Sequence, residues 1–528
     1  MLSILEGPTS VLHCMASGRL PERFPAVLVW ANPEQVVFSP EVDSEGAARW
    51  VLGHLPSGAK AILRWPDMGH PFLPVVVENL RERSGHWCIW KPHSGSVQFF
   101  ALPQNPEAFT FKTAVVPEIG ATRVRKEVTM RELEFLEMQF GVHPLPLMDA
   151  PLPVMVSQVN LQGSWHPVLG RGQHYHAART GAVLEALERQ AADRAVNLSG
   201  PCSFLDMRQE GLTLDPRTLV QPEPAHLPGH WTAYHPELPI RWTRGYSVRH
   251  QQPISVPARH VFLSVSDPVY VQESSSGVAL GACREEALLH ALLEVIERDA
   301  FLMTYYTRTP ARRVVNIQDR QVQDLTLQAE KLGFEVFFFN ITQENGIPAV
   351  WALLKRFDGK LDQVQSVSGA AAHLQPLPAM RAALSEALTT LHCMAPHHQP
   401  EEALKRVLHP EMVQDDLDHF LRFAHPLGLK DLDFLGSQEQ LLSEFAPFSD
   451  RHTDLTEPLT RLLQVLLQVH EDVVFVDLPA QGGFHAVRAL VPGMLPMTFG
   501  HPHRVNTSRL LSRLPAGHNG LFAPHPFP

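Results

Sequence analysis

Two short stretches of the chain repeat one arrangement. "EALER" (185–189) and "EVIER" (294–298) both read Glu-x-x-Glu-Arg. Spaced i and i+3, the two carboxylates of each copy share one face of a helix. If the two helices converge, Glu185, Glu188, Glu294 and Glu297 meet at one place. Four buried carboxylates are too costly to leave uncompensated. Oxygen donors without thiols suit a hard divalent ion such as Mg2+, and four would hold roughly two. Mg2+ is commonly shared between one or two carboxylates and substrate phosphates, so a nucleoside triphosphate is the expected partner.

The second copy belongs to a longer pattern, "EEALLHALLEVIERDA" (285–300). At roughly 100° per residue, Glu286, His290, Glu294 and Glu297 fall within a stripe of roughly 80°. The other faces carry Ala, Leu, Val and Ile, and a helix apolar all round is buried. The stripe is expected to be buried with it or to line an interior cavity, with His290 and Arg298 as local counter-charges. The approaches suit an anion. "ESSSGVALG" (273–281) offers small residues and the hydroxyls of Ser275 and Ser276, and "GRG" (170–172) offers Arg171. Glycines and free N–H groups before a helix favour phosphate. The GxxxxGK[ST] phosphate loop is absent. A lone Glu-x-x-Glu-Arg is usually a salt-bridged surface turn; the second copy and the apolar surroundings argue against that here. Di-iron carboxylate chemistry also gathers inward-facing Glu, but needs Glu-x-x-His on two helices. Both copies end in Glu instead.

The elements that must hold these groups are legible in outline. Residues 180–196 and 378–394 read as helices, the second with Pro378 near its start. "RHVFLSV" (259–265), "FEVFFFNI" (334–341), "AVWALLKRF" (349–357), "EDVVFVDLP" (471–479) and "FHAVRALVP" (484–492) read as strands. A polar, helix-rich segment occupies about 397–470. Residues 1–112 read as a small separate α/β unit with strands at 26–31, 60–65 and 73–80, and 102–111 as the linker out of it. No GxGxxG follows those strands. The expectation is a mixed α/β (α+β) protein.

Bulk properties exclude several classes. The 528 residues carry 44 basic and 55 acidic side chains, a net charge of −11, with no basic footprint for nucleic acid. Apolar runs are too short to span a membrane, and "MLSILEGPTS" is not a signal peptide, so a cytoplasmic protein is expected. Five scattered Cys form no CxxC pair and read as buried reduced thiols. The His-rich "PHHQP" (396–400) and "HPHR" (501–504) sit in loop-like sequence and are weak metal candidates.

"SSSGVALGACREEALLHALLEVIERDAF" resembles the central signature of the YcaO-like family, "GRGQHYHAARTGAVLEALER" its first signature, and "VPGMLPMTFGHPHR" (491–504) its late segment. The likeness spans about 113–528. It implies a YcaO-like ATP-binding domain after the small N-terminal domain, with ATP and Mg2+ held by Glu185, Glu188, Glu294 and Glu297. Arg171, Ser275, Ser276, Glu286, His290 and Arg381 are the implied nucleotide contacts. The chain departs from the family pattern at Gly181 (for Ser), Ser276 (for Asn), His290 (for Gln) and Thr389 (for Gln).

Pro524, Pro526 and Pro528 form a Pro-x-Pro-x-Pro terminus. Alone this is usually a frayed polyproline stub. Within the family it is similar to the tail of the azoline-forming cyclodehydratases, where it is implied to reach the active site as a catalytic element. The implied activity is ATP-dependent conversion of Cys, Ser or Thr in a ribosomal precursor peptide to azoline rings. Thioamide formation, or a scaffold that binds without turnover, remain alternatives. The implied partners are the precursor peptide, a leader-binding ThiF-like protein and a flavin-dependent azoline dehydrogenase; a homodimer is compatible. Residues 1–112 are too short to hold a full ThiF-like domain plus a leader-binding domain, and read as a remnant or docking module.

Overall fold

In this computed structural model the described residues are the strands at 26–31, 36–38, 61–64, 86–91 and 96–101, and 111–527 apart from 125–127, 162, 223–226, 228, 501–506 and 515–522. The chain divides into two compact units: 1–110 with 479–481, and 111–478 with 482–528. In the first, β1 (Ala26–Ala31), β2 (Val36–Phe38), β3 (Ala61–Arg64), β4 (His86–Lys91) and β5 (Ser96–Ala101) form an antiparallel sheet in the order β3-β1-β2-β4-β5. The strand expected at 73–80 and residues 102–110 of the expected linker lie outside the described residues.

The second unit holds three sheets. β6 (Leu145–Pro146), β7 (Val154–Leu161) and β8 (Ser164–Arg171) form one, in the order β6-β7-β8. β9 (Trp242–Ser247), β10 (Gln252–Pro257), β11 (Val278–Gly281), β17 (Val474–Leu478) and β18 (His485–Leu490) form a second, in the order β10-β9-β17-β18-β11. β12 (Arg312–Val315), β13 (Phe334–Asn340), β14 (Ala349–Arg356), β15 (Ser366–Ala372) and β16 (Glu439–Leu441) form the third, in the order β15-β14-β13-β12-β16. Its β12–β16 pair is parallel; the other pairings between these strands are antiparallel. The helices are α1 (Met130–Phe140), α2 (Tyr175–Asp193), α3 (Phe204–Glu210), α4 (Arg284–Tyr306), α5 (Arg320–Lys331), α6 (Pro376–Met394), α7 (Pro400–Leu408), α8 (Asp416–Ala424), α9 (Thr456–Val469) and α10 (Ser508–Arg513).

Each sheet of this unit carries one long helix: α2 packs on β7 and β8, α4 on β11 and β18, and α6 on β14 and β15. Small residues permit the close approach. Ala178, Ala182 and Ala186 line the buried face of α2, and Ala379, Ala383 and Ala387 that of α6. A Cβ at Gly170 would lie 1.8 Å from the Ala178 carbonyl oxygen, and one at Gly369 would lie 2.3 Å from that of Ala383. Only glycine lets these strands meet the helix backbone. β15 reads "SVSGAAA", poor in strand formers; it is a strand because β14 and α6 enclose it.

The helices expected at 180–196 and 378–394 are α2 and α6, and four of the five expected strands are β13, β14, β17 and β18. The fifth, 259–265, is not a strand. Ala258–His260 is a 3-10 turn, and Ser264 has φ of 62°. The buried Arg259 donates to the carbonyls of Val265 and Asp267 and to Glu273, folding the segment on itself. Its apolar residues, Val261 and Phe262, are core residues of a turn.

Candidate active site

The cap of α4 follows from its first residues. The Glu286 N–H donates to the Cys283 sulfur, and Glu285 and Glu286 complement the positive end of the helix. Most of α4 is buried, as its apolar faces require. The part-exposed residues are Arg284, His290, Glu294, Glu297 and Arg298. The second Glu-x-x-Glu-Arg copy thus faces an opening.

Three helices each send a carboxylate back to the strand beneath or to the turn that leads into it. Glu185 accepts from Leu169 N–H at 3.3 Å, Glu294 from Gly277 N–H at 2.9 Å, and Glu386 from Ala370 N–H at 3.1 Å. The partner residue lies sixteen or seventeen positions earlier each time. Glu188 accepts from Leu280 N–H at 3.1 Å and so joins α2 to β11. Arg298 lies 3.7 Å from Glu294 and 3.4 Å from Glu297; Arg171 lies 3.4 Å from Glu386; Arg189 lies 3.5 Å from Glu185.

These groups interact as one cluster. Burial, with Glu294 close by, pushes the Glu188 carboxyl up to about 8. Burial also raises Glu297; Arg298 opposes the rise, while Glu386 and Glu294 add to it. Nearby guanidinium groups do not cancel the repulsion. A site that holds protons this firmly also favours added positive charge.

The other expected site residues are dispersed. Arg171 joins the cluster through Glu386. Ser276 is buried and accepts from Met497 N–H at 3.1 Å, tying the Ser-Gly loop to 497; Ser275 is half-buried in that loop. Glu286 accepts from Val124 N–H at 2.9 Å and faces Arg123 at 3.4 Å. His290 faces the Thr122 carbonyl oxygen at 2.9 Å. Burial lowers its pKa to about 3, so the ring is neutral and supplies no counter-charge. Arg381 pairs with Asp319 at the cap of α5. Glu286→Ala is expected to lower stability by about 1–3 kcal/mol, because Val124 N–H loses its acceptor. ATP affinity should change less than about threefold, since an unmade local bond is a folding cost. Thermal melting and calorimetry check this. An affinity loss as large as that of Glu297→Gln would show that the whole stripe acts as one site.

The C-terminal tail reaches the same helix. Phe527 lies over the Arg298 guanidinium at 4.5 Å from its ring centre and packs on Phe301 at 5.1 Å. Tyr305 OH donates to the Pro524 carbonyl at 3.0 Å, and Pro526 is buried. Pro528 lies outside the described residues. Sequence reasoning met Glu386 only as the residue three before Thr389 and gave it no role, and it missed Phe527 and the buried Arg488, which donates to the Ser274 carbonyl and interacts with Glu294. Glu386 had a signal, since "EALTT" (386–390) echoes "EALER".

Among the described residues, no three His, Cys, Asp or Glu side chains form a ready shell for a metal ion. That is compatible with Mg2+ bound by one or two carboxylates while phosphates and water complete its shell. Together with the excess carboxylate charge, the residues present fit a Mg2+–nucleotide rather than a bare structural ion.

The family described as YcaO cyclodehydratase, ATP- and Mg2+-binding, matches residues 169–495. The chain belongs to the YcaO family. ATP and Mg2+ are this family's ligands. Three solved structures share the YcaO fold. A heterocyclase in complex with substrate and cofactor aligns with a TM-score of 0.58 and 14% identity, over 92% of this chain and 74% of its own. YcaO from Methanopyrus kandleri bound with AMPPCP and Mg2+ aligns at 0.54 and 22%, over 72% and 95%. The E. coli microcin synthetase McbBCD complex with pro-MccB17 bound aligns at 0.52 and 14%, over 73% and 96%. Among the described residues of this YcaO chain, no helix is long and apolar enough to cross a membrane.

Proposed function

We propose that this protein is an ATP-dependent, azoline-forming peptide cyclodehydratase. The observation that carries the reading is the carboxylate cluster of α2, α4 and α6 with the Pro-x-Pro tail docked beside it on Arg298. Glu185, Glu188, Glu294 and Glu297 would hold Mg2+, which neutralises phosphate charge when bound. Arg171 and the loop of Ser275 and Ser276 lie where phosphates would enter.

A Cys, Ser or Thr side chain of the peptide adds to the preceding backbone carbonyl. The resulting oxygen is a poor leaving group until it takes the γ-phosphoryl of ATP. Phosphate then departs with the C–O bond and the amide proton is lost, leaving an azoline. The protein's work is positioning and charge neutralisation, as in phosphoryl transfer generally. The tail from Pro524 to Pro528 would form one wall of the peptide site, its locked φ lowering the entropy cost of staying there. Arg381, engaged with Asp319, would act on the nucleotide only after that pair opens.

The reading includes a ribosomal precursor peptide, a separate leader-binding ThiF-like partner, and a flavin-dependent dehydrogenase that consumes the azoline. The N-terminal unit would serve as docking module. Incubation with ATP, Mg2+, partner and a Cys/Ser/Thr-rich precursor tests it by mass. Loss of about 18 Da per ring with phosphate release is expected, because ring closure expels one water from the peptide. A gain of about 16 Da would mean thioamide formation, since sulfur replaces oxygen at an activated carbonyl. Nucleotide binding with no mass change would mean a scaffold.

A further inference from the structure

The tail is held by two histidines that the proposed chemistry does not use. His525, within the Pro-x-Pro-x-Pro run, has no exposed surface, and His419 on α8 is 1% exposed. Their rings lie 4.2 Å apart between centres. His419 Nδ1 faces the His525 carbonyl oxygen at 2.7 Å, and Gly500 N–H donates to His419 Nε2 at 3.1 Å. His525 Nε2 faces the Thr498 carbonyl oxygen at 2.8 Å, and Phe527 N–H donates to His525 Nδ1 at 3.3 Å.

These partners fix both tautomers. A carbonyl only accepts, so His419 Nδ1 and His525 Nε2 each carry a proton. A backbone N–H only donates, so His419 Nε2 and His525 Nδ1 are bare. A second proton on either ring would point at an N–H and break the contact. The docked tail therefore requires two neutral imidazoles. The contacts lead in one direction: His419 holds the His525 backbone, the His525 ring holds Phe527 N–H, and the Phe527 ring caps Arg298 between Glu294 and Glu297.

We propose that His525, held by His419, is the positioning residue that seats the C-terminal tail on Arg298, and that the seat forms only with both imidazoles neutral. Its effect on rate rests on the cyclodehydratase reading; its effect on the tail does not.

The surrounding charges agree. Burial lowers His419 to about 4, opposed by Asp418 and Asp415 and assisted by Arg422. Burial, His419 and Arg298 lower His525. For a histidine whose docked pKa is below its free value near 6.5, docking is fully stabilised above 6.5 and weakens as pH falls toward the docked value. Between pH 7.5 and 5.5 that is roughly a tenfold loss of docking for each histidine.

The test uses the full chain with partner and precursor. Hydrogen exchange at the Phe527 amide reports the seat, and azoline formation set against ATP affinity reports its consequence. Wild-type Phe527 should be protected at pH 7.5 and at least roughly tenfold less so at pH 5.5, after correction for intrinsic exchange. His525→Ala should lose protection and lower kcat at least roughly tenfold, with ATP affinity within about twofold. His525→Asn keeps an acceptor for Phe527 N–H and should recover part of both, and it replaces the Ala variant should that chain not fold. His419→Ala should loosen the tail in the same sense. Wild-type protection in His525→Ala, protection unchanged by pH, or rate and ATP affinity falling together would each overturn the proposal. A wild-type chain that forms no azoline, yet shows the expected tail exchange, would remove the cyclodehydratase reading and leave the seat standing.

Discussion

Glu297→Gln is expected to lower ATP consumption at least roughly a hundredfold without unfolding the protein. Two effects separate in this variant. In the absence of Mg2+–nucleotide, Glu297 is a liability, since burial and the neighbouring Glu386 and Glu294 raise its proton affinity. A carboxyl whose folded pKa lies above its ordinary value of 4.5 destabilises the fold progressively as pH climbs from 4.5 to that folded pKa. Gln carries no charge and escapes this penalty. The apo variant should therefore melt at or above the wild-type temperature at pH 8–9, roughly where the penalty is complete, and match it near pH 5. With ATP and Mg2+ the order should reverse, because ligand binding stabilises only the chain that binds it. Glu294→Gln should behave alike for turnover, with less gain in apo stability because the Gly277 N–H loses a charged acceptor. Melting scans with and without Mg2+–ATP, beside phosphate release, read both effects. Near-normal turnover would exclude Glu297 as a metal ligand. Apo destabilisation as deep as a core cavity would make it a structural residue.

Legibility from sequence was uneven for physical reasons. The two Glu-x-x-Glu-Arg copies are local, and i, i+3 spacing places both carboxylates of a copy on one face. Glu386 belongs to the same cluster, but Thr389 stands where the second Glu would be, so the third copy does not announce itself. A helical stripe is a direction and not a place. Glu286 shares an angle with Glu294 but lies eight residues away, about 12 Å along the axis, and there it meets Val124. The error at 259–265 has the same root. Buried apolar residues look alike in a strand and in a turn, and the deciding interaction, the Arg259 guanidinium on three acceptors, involves residues up to fourteen positions away. The strands that propensity predicted best, β13 and β14, are rich in Phe, Val, Trp and Leu. β15, which carries the glycine beneath α6, has no such signature, because the helix selects it for smallness. The tail was legible as rigid, yet its anchor joins residues 106 positions apart.

Removal of Pro524 to Pro528 is expected to spare nucleotide binding, within about twofold, and to cut ring formation roughly a hundredfold. The carboxylates lie on α2, α4 and α6 and their N–H partners on β8, β11, β15 and the turn at Gly277, none of them on the tail. What the tail supplies is Phe527 on Arg298 and a proline-stiffened edge beside it. Misplacing a reacting group by about 1 Å can cost roughly a hundredfold in rate, and losing a wall of the peptide site displaces the peptide by at least that much. The truncation also exposes Phe301 and Tyr305, which pack on Phe527 and bond to Pro524. A stability loss of about 2–4 kcal/mol should follow, comparable to emptying a buried aromatic site. Uncoupling is the diagnostic outcome: ATP still binds, while azoline no longer accumulates. Calorimetry with Mg2+–ATP and mass analysis of the precursor distinguish the cases. Intact ring formation would take the tail out of the mechanism, and a collapse of ATP affinity would make it part of the nucleotide site. The predicted split makes Arg298 the link, its ion pairs to Glu294 and Glu297 joining tail position to the carboxylates proposed to hold Mg2+.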